Sequence, residues 1–143
     1  IVAETSEENA DLIYNFGLNL GIAFQLQDDY LDAFGNPETF GKQVGGDIIE
    51  NKKTYLYLKA MAFSSEENKQ QLLHLFSIQP NDNSDKIDSV KTIFNTSGAS
   101  KATQDAIANY TEIAFETLEK MKISEDKKMV LRLFGEKLMN RKV

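Results

Sequence analysis

At 143 residues, with 41% hydrophobic and 27% charged side chains, the chain can bury the core of one ordinary domain and is too apolar for disorder. A net charge of −6 and a pI near 4.8 exclude a nucleic-acid surface, because no basic stripe is available to neutralise phosphates. The absence of cysteine excludes disulfides and thiolate metal sites and fits a reducing cytoplasm, and a single histidine, His74, leaves little for an imidazole zinc site or a Ser-His-Asp triad.

In chain order, Thr5-Ser6-Glu7-Glu8 reads as a capping box, with Thr5 as N-cap and Glu8 at N3. The helix it opens is expected to run to about Phe34, a length of about 45 Å. Leu12, Phe16 and Leu20 give one apolar ridge, widened by Ile13, Ile22 and Phe24. Gly17 and Gly21 cost about 0.5–1 kcal/mol each in a helix interior, which favours close approach of a neighbouring helix, with a substrate chain as the second reading. A glycine-rich loop follows this helix. Thr54 to Phe63 then predicts a short, nearly wholly apolar helix with Thr54 as its cap. Ser64 or Ser65 caps the next, in which Leu72, Leu73, Leu75 and Phe76 face the core and His74, inside LLHLF, is a packing residue.

Pro80 ends that segment, and Asn81 to Asp85 is a polar connection. A helix from Ser84 or Asp85 carries Ile87, Val90, Ile93 and Phe94 and stops at Asn95-Thr96-Ser97-Gly98. A long helix from about Ser100 to Met121 places Ala106, Tyr110, Ile113, Ala114, Thr117 and Leu118 at helical spacing, and its small residues predict tight packing. Ser124 caps the last helix, with Met129, Val130, Leu133, Phe134 and Leu138 as its apolar stripe. Six helices without strand alternation predict an all-α bundle, and the lack of a repeat or linker predicts a single domain. No run approaches the roughly 18 apolar residues that span a bilayer, and the opening residues do not read as a signal peptide, so a soluble, cytoplasmic protein without a membrane anchor is expected.

The chemistry is concentrated between Gly21 and Thr54. Residues four apart share a helix face, so Asp28 and Asp32 stack on one stripe with Asp29 at its edge and Gln25 a turn earlier. Like charges so placed destabilise an isolated helix by about 0.2–0.5 kcal/mol per pair, and a helix C-terminus disfavours further carboxylates. A hard divalent cation would offset that cost, and all-oxygen ligation with water retained suits Mg²⁺ bridging to phosphates. The plainer reading is a solvated acidic helix end. Downstream, Asn36-Pro37 marks a turn, Gly41, Gly45 and Gly46 allow close backbone approach or positive φ, and Lys42 and Lys52 supply charges for phosphate oxygens.

Phe24-Gln25-Leu26-Gln27-Asp28-Asp29-Tyr30-Leu31-Asp32, followed by Gly41-Lys42-Gln43-Val44-Gly45-Gly46-Asp47-Ile48-Ile49-Glu50-Asn51-Lys52-Lys53-Thr54, resembles the second aspartate-rich region of the trans-polyprenyl diphosphate synthases. The pattern is FQxxDDxxD, then GKxxGxDIxx(G/N)KxT. The resemblance implies part of an isoprenoid-synthase-type helical bundle, with residues 1–143 as the carboxy-terminal part of a synthase domain. It implies Mg²⁺-dependent head-to-tail condensation of isopentenyl diphosphate with an allylic diphosphate, and a homodimer as the full-length protein.

By the same resemblance Asp28, Asp29 and Asp32 hold metal, Lys42 and Lys52 contact the allylic diphosphate, and Asp47 supports metal-bound water or orients a lysine. Gln25 would lie beside the reacting carbons. Phe16, Leu20 and Phe24 are read as core rather than as a prenyl channel. These synthases carry two aspartate-rich motifs and this chain shows one, so a fragment inactive by itself is expected. A non-catalytic partner subunit and a terpene cyclase-like enzyme are the alternatives. An EF-hand is set aside because the twelfth position from Asp28 is Thr39 rather than Glu.

Overall fold

The computed structural model describes residues 7–36 and 44–140. The Thr5 cap, Pro37, Gly41 and Lys42 lie outside the described residues. Seven helices are present among them: α1 (Glu7–Phe34), α2 (Gly46–Ile49), α3 (Tyr55–Phe63), α4 (Glu66–Leu75), α5 (Ser84–Thr96), α6 (Ala99–Glu119) and α7 (Glu125–Met139). The fold is all-α, as expected, and no helix among the described residues is long and apolar enough to cross a membrane. The single turn α2, inside the glycine-rich loop, has no counterpart in the expected helices. Its four residues are too few to show a hydrophobic period.

The chain divides into two compact units, residues 26–105 and residues 7–25 with 106–140. The first has a core of Ile48, Leu56, Tyr57, Ala60, Leu72, Leu75, Val90, Ile93 and Phe94, contributed by α2 to α5. Tyr57 and Phe76 pack with tilted rings whose centroids are 4.5 Å apart, within the range of a favourable aromatic pair. Ser65 caps α4 by accepting from the Asn68 amide at 3.2 Å. Thr54 takes the N-cap position of α3, yet it does so through its backbone, whose carbonyl accepts from Leu58 at 3.0 Å, and the hydroxyl makes no capping bond. Gly98, at φ +92, closes α5 in the left-handed conformation that glycine adopts without penalty. Leu73 and His74 are corrections to the sequence reading, since both are exposed. The 3.6-residue period puts Leu72, Leu75 and Phe76 on one side of the helix and turns the two residues between them outward.

In the other unit, Phe16 and Leu20 pack against Ala114, Leu118 and Met121, with Phe16 edge-on to Phe115 at 6.2 Å. Asn9 is 1% exposed and grips the backbone of Lys122 twice, donating to its carbonyl at 3.0 Å and accepting from its amide at 2.8 Å. Ser124 caps α7 through the Lys127 amide. The buried Lys128 donates to the Glu119 carbonyl at 3.0 Å, a cation placed where the end of α6 carries partial negative charge.

The expected apolar stripe of α7 is mostly wrong. Met129, Val130, Leu133 and Phe134 are each more than half exposed; Leu138 packs inward as expected, joined by Leu131 and Met139. The cause is Gly135, where a Cβ would lie 2.8 Å from the Phe115 ring, so the face without a side chain sits against the core. The close-approach reading of Gly17 and Gly21 finds no support among the described residues, since both glycines are exposed and a Cβ at either would meet none of those residues within 4 Å. Gly17→Ala and Gly21→Ala should therefore each stabilise the chain by about 0.5–1 kcal/mol, by restricting the unfolded backbone. The check is a higher urea midpoint at unchanged slope; a lower midpoint would restore the close-approach reading.

Candidate functional site

The site is built where the end of α1 meets the glycine-rich turn, and its residues from Leu26 onward belong to one compact unit. Helical geometry sets Asp28, Asp29 and Asp32 along the last turns of α1, but the three carboxylates do different things. Asp32 is 7% exposed and points into the turn, accepting from the Asp47 amide at 2.7 Å through Oδ2. Its backbone carbonyl accepts from the Gly45 amide at 2.5 Å. A buried carboxylate tolerates its surroundings when it is hydrogen-bonded, and the N–H at the start of α2 supplies such a bond. Asp28 and Asp29 are half-buried.

Gly45 has φ +91, and a Cβ there would come within 2.9 Å of Ile87. The left-handed angle favours glycine, and a Cβ would also have to displace the end of the Ile87 side chain. At Gly46 a Cβ would sit 3.3 Å from Asp32 Oδ1, so this residue keeps the carboxylate's path clear. The turn leaves α2 through Asn51, at φ +59 the one non-glycine residue in the left-handed region among those described. Asparagine tolerates that region better than most residues. The Lys52 amide then donates to the Asp47 carbonyl at 2.8 Å, and the chain doubles back.

As a result the Lys52 ammonium lies 3.6 Å from Asp29 Oδ1 and 3.9 Å from Asp47 Oδ1. Asp29, and after it Asp47, raises the lysine above its ordinary range, so the cation persists through neutral and mildly alkaline solution. The lysine side chain is 54% exposed, and pairs of this kind contribute about 0–1 kcal/mol. Orientation is the larger effect: a cation is presented to solvent beside a carboxylate turn.

The structure thus brings together Asp29, Asp32, Asp47 and Lys52. Asp28 follows on the same helix, and Gln25 is exposed in α1 one turn before it. Lys42 lies outside the described residues. Among the described residues no group of three or more His, Cys, Asp or Glu side chains is arranged to hold a metal ion. The donor chemistry still suits Mg²⁺, which takes one or two carboxylates, substrate phosphate oxygens and water rather than a closed protein cage. Asn51 stands at the glycine-or-asparagine position of the motif, a residue choice that fits its positive φ. Ile87, which packs on Gly45 from α5, left no local signal.

The residues 1–96 match the family model described as polyprenyl synthetase. The chain belongs to the polyprenyl synthetase family. Among its relatives in the family, the short chain isoprenyl diphosphate synthase of Methanothermobacter thermautotrophicus is 30% identical over 125 residues, which is 87% of this chain and 38% of that protein. Farnesyl pyrophosphate synthase 2 of Lupinus albus is 36% identical over 82% of this chain and 32% of its own length. A crystal structure of a geranylgeranyl pyrophosphate synthase superposes with a TM-score of 0.84 at 47% identity, covering 96% of this chain and 43% of that one. Another, from Corynebacterium glutamicum and complexed with isoprenyl diphosphate and magnesium, superposes at 0.81 with 27% identity, covering 96% of this chain and 39% of that one. The chain therefore spans less than half of the length of each of these family members.

The bond from the Asp47 amide to Asp32 gives a direct test of what this carboxylate does. Asp32→Ala strands the amide and should cost about 1–3 kcal/mol of stability by urea unfolding. Asp32→Asn keeps an acceptor oxygen and should cost markedly less. Equal losses for the two would show that charge, and not the hydrogen bond, holds the turn.

Proposed function

We propose that this chain carries the metal and allylic-diphosphate site of a head-to-tail prenyltransferase, which condenses isopentenyl diphosphate with an allylic diphosphate. The observation that carries the reading is Lys52, held between Asp29 and Asp47 on a turn tied to the acidic end of α1 by Asp32. In the reaction the allylic C–O bond breaks and diphosphate leaves with the electron pair. The double bond of isopentenyl diphosphate attacks the allylic cation to form the new C–C bond, and loss of a proton restores an alkene five carbons longer.

The barrier is one of charge separation, which preorganised positive charge at the leaving group lowers. Lys52 and Lys42 meet the diphosphate oxygens, and Asp47 keeps the Lys52 ammonium aimed. Mg²⁺, held by Asp28 and Asp29 with Asp32, would add Lewis-acid neutralisation of the departing charge. Gln25, on the same helix, is assigned the amide dipole that would stabilise the developing cation. Divalent cations and isoprenyl diphosphate accompany related structures, one with magnesium and one with calcium, which supports the choice of ligand class. The whole protein is read as a cytoplasmic homodimer in which the remainder of the fold supplies the isopentenyl diphosphate site.

Calorimetric titration of Mg²⁺ and inorganic pyrophosphate tests the site. Asp28→Ala should abolish the Mg²⁺-dependent component, and Lys52→Met should weaken binding about 10- to 100-fold, the size of a lost charge-assisted hydrogen bond. Unchanged affinity in the Asp28 variant would overturn the assignment.

A further inference from the structure

The first turn of α5 supports the diphosphate turn from beneath. Ile87 packs on Gly45 at its start, and Lys86 reaches Asn51 at its end. Lys86 is 2% exposed, and its ammonium donates to Asn51 Oδ1 at 2.5 Å and to the Ile78 carbonyl at 2.7 Å. The Asn51 amide nitrogen donates to the same carbonyl at 3.3 Å. Both acceptors of the ammonium are neutral, and burial lowers the lysine from its usual range. A buried cation with neutral partners is a costly way to fill space, which an apolar side chain would do better. What the lysine provides instead is a fixed side chain for Asn51, the residue whose left-handed backbone sends the chain back toward α1.

We infer that Lys86 is a positioning residue of the diphosphate site: through Asn51 it fixes the corner from which Lys52 turns onto Asp29 and Asp47. The inference rests on the reading of Lys52 as a diphosphate contact, but the geometry of the corner can be tested without any ligand.

Amide hydrogen exchange on this chain reads the corner directly. In Lys86→Met the Lys52 amide, bonded to the Asp47 carbonyl, and the Asp47 amide, bonded to Asp32, should exchange at least tenfold faster relative to the amide of Leu72 in α4. Asn51→Gly should do the same, because glycine accepts the backbone angle and removes only the side-chain link. It also carries the test should Lys86→Met fail to fold. Adding Lys86→Met to Asn51→Gly should produce little further change. In the pyrophosphate titration, Lys86→Met should bind about tenfold more weakly while remaining folded by circular dichroism. Wild-type exchange at Lys52 and Asp47 in either single variant, or fully additive effects in the double variant, would overturn the inference. A wild-type chain that ignores Mg²⁺ and pyrophosphate would instead overturn the diphosphate reading, and the exchange comparison would still decide whether Lys86 holds the corner.

Discussion

One hydrogen bond organises the functional end of this chain, the bond from the backbone amide of Asp47 to the buried carboxylate of Asp32. Without it the acidic end of α1 and the glycine-rich turn would be two exposed, charged segments. With it, and with the Gly45 amide on the Asp32 carbonyl, α2 is seated against α1. Everything downstream inherits that placement. Asp47 is fixed, so the amide of Lys52 finds the Asp47 carbonyl and its ammonium reaches Asp29.

The carboxylates are therefore not a uniform cluster. Asp32 accepts from a backbone amide, Asp29 shares the lysine, and in the proposed site Asp28 and Asp29 would be the donors to a hard cation. This division resolves the electrostatic problem raised by three aspartates at a helix C-terminus. One is neutralised by a backbone dipole and one by an ammonium, which leaves less repulsion for an incoming ion to relieve. The arrangement also explains the glycines. Gly45 supplies the left-handed backbone angle beside Ile87, and Gly46 the clearance beside Asp32.

Much of this was legible from the residue pattern. Asp28, Asp29, Asp32, Asp47 and Lys52 stand at a spacing specific enough to suggest both fold and chemistry, and the caps at Ser65 and Ser124 lie where their local patterns put them. What the pattern could not show is which contact each residue makes across the fold. Nothing in DDYLD distinguishes the aspartate that bonds an amide 15 residues away, and Lys86 resembles any lysine on an amphipathic helix. The outward stripe of α7 was misread for a related reason: the helix has two apolar faces, and a glycine next to an aromatic ring chose between them. Hydrophobic counting favours the richer face, whereas packing favours the one that approaches closer.

The grip of Asn9 on Lys122 joins positions 113 residues apart, while residues 26–105 form their unit from one continuous segment. Closing a long loop costs more entropy than closing short ones, and such contacts form late. As the chain emerges from a ribosome, the α2 to α5 core can assemble from residues already made. Phe16 and Leu20 are synthesised earlier, whereas the partners they have in this chain, Ala114 and Leu118, arrive only with α6. Within this chain the ridge is therefore made well before the helix that covers it, and a segment waiting for distant partners is the kind that stays exposed longest as folding proceeds.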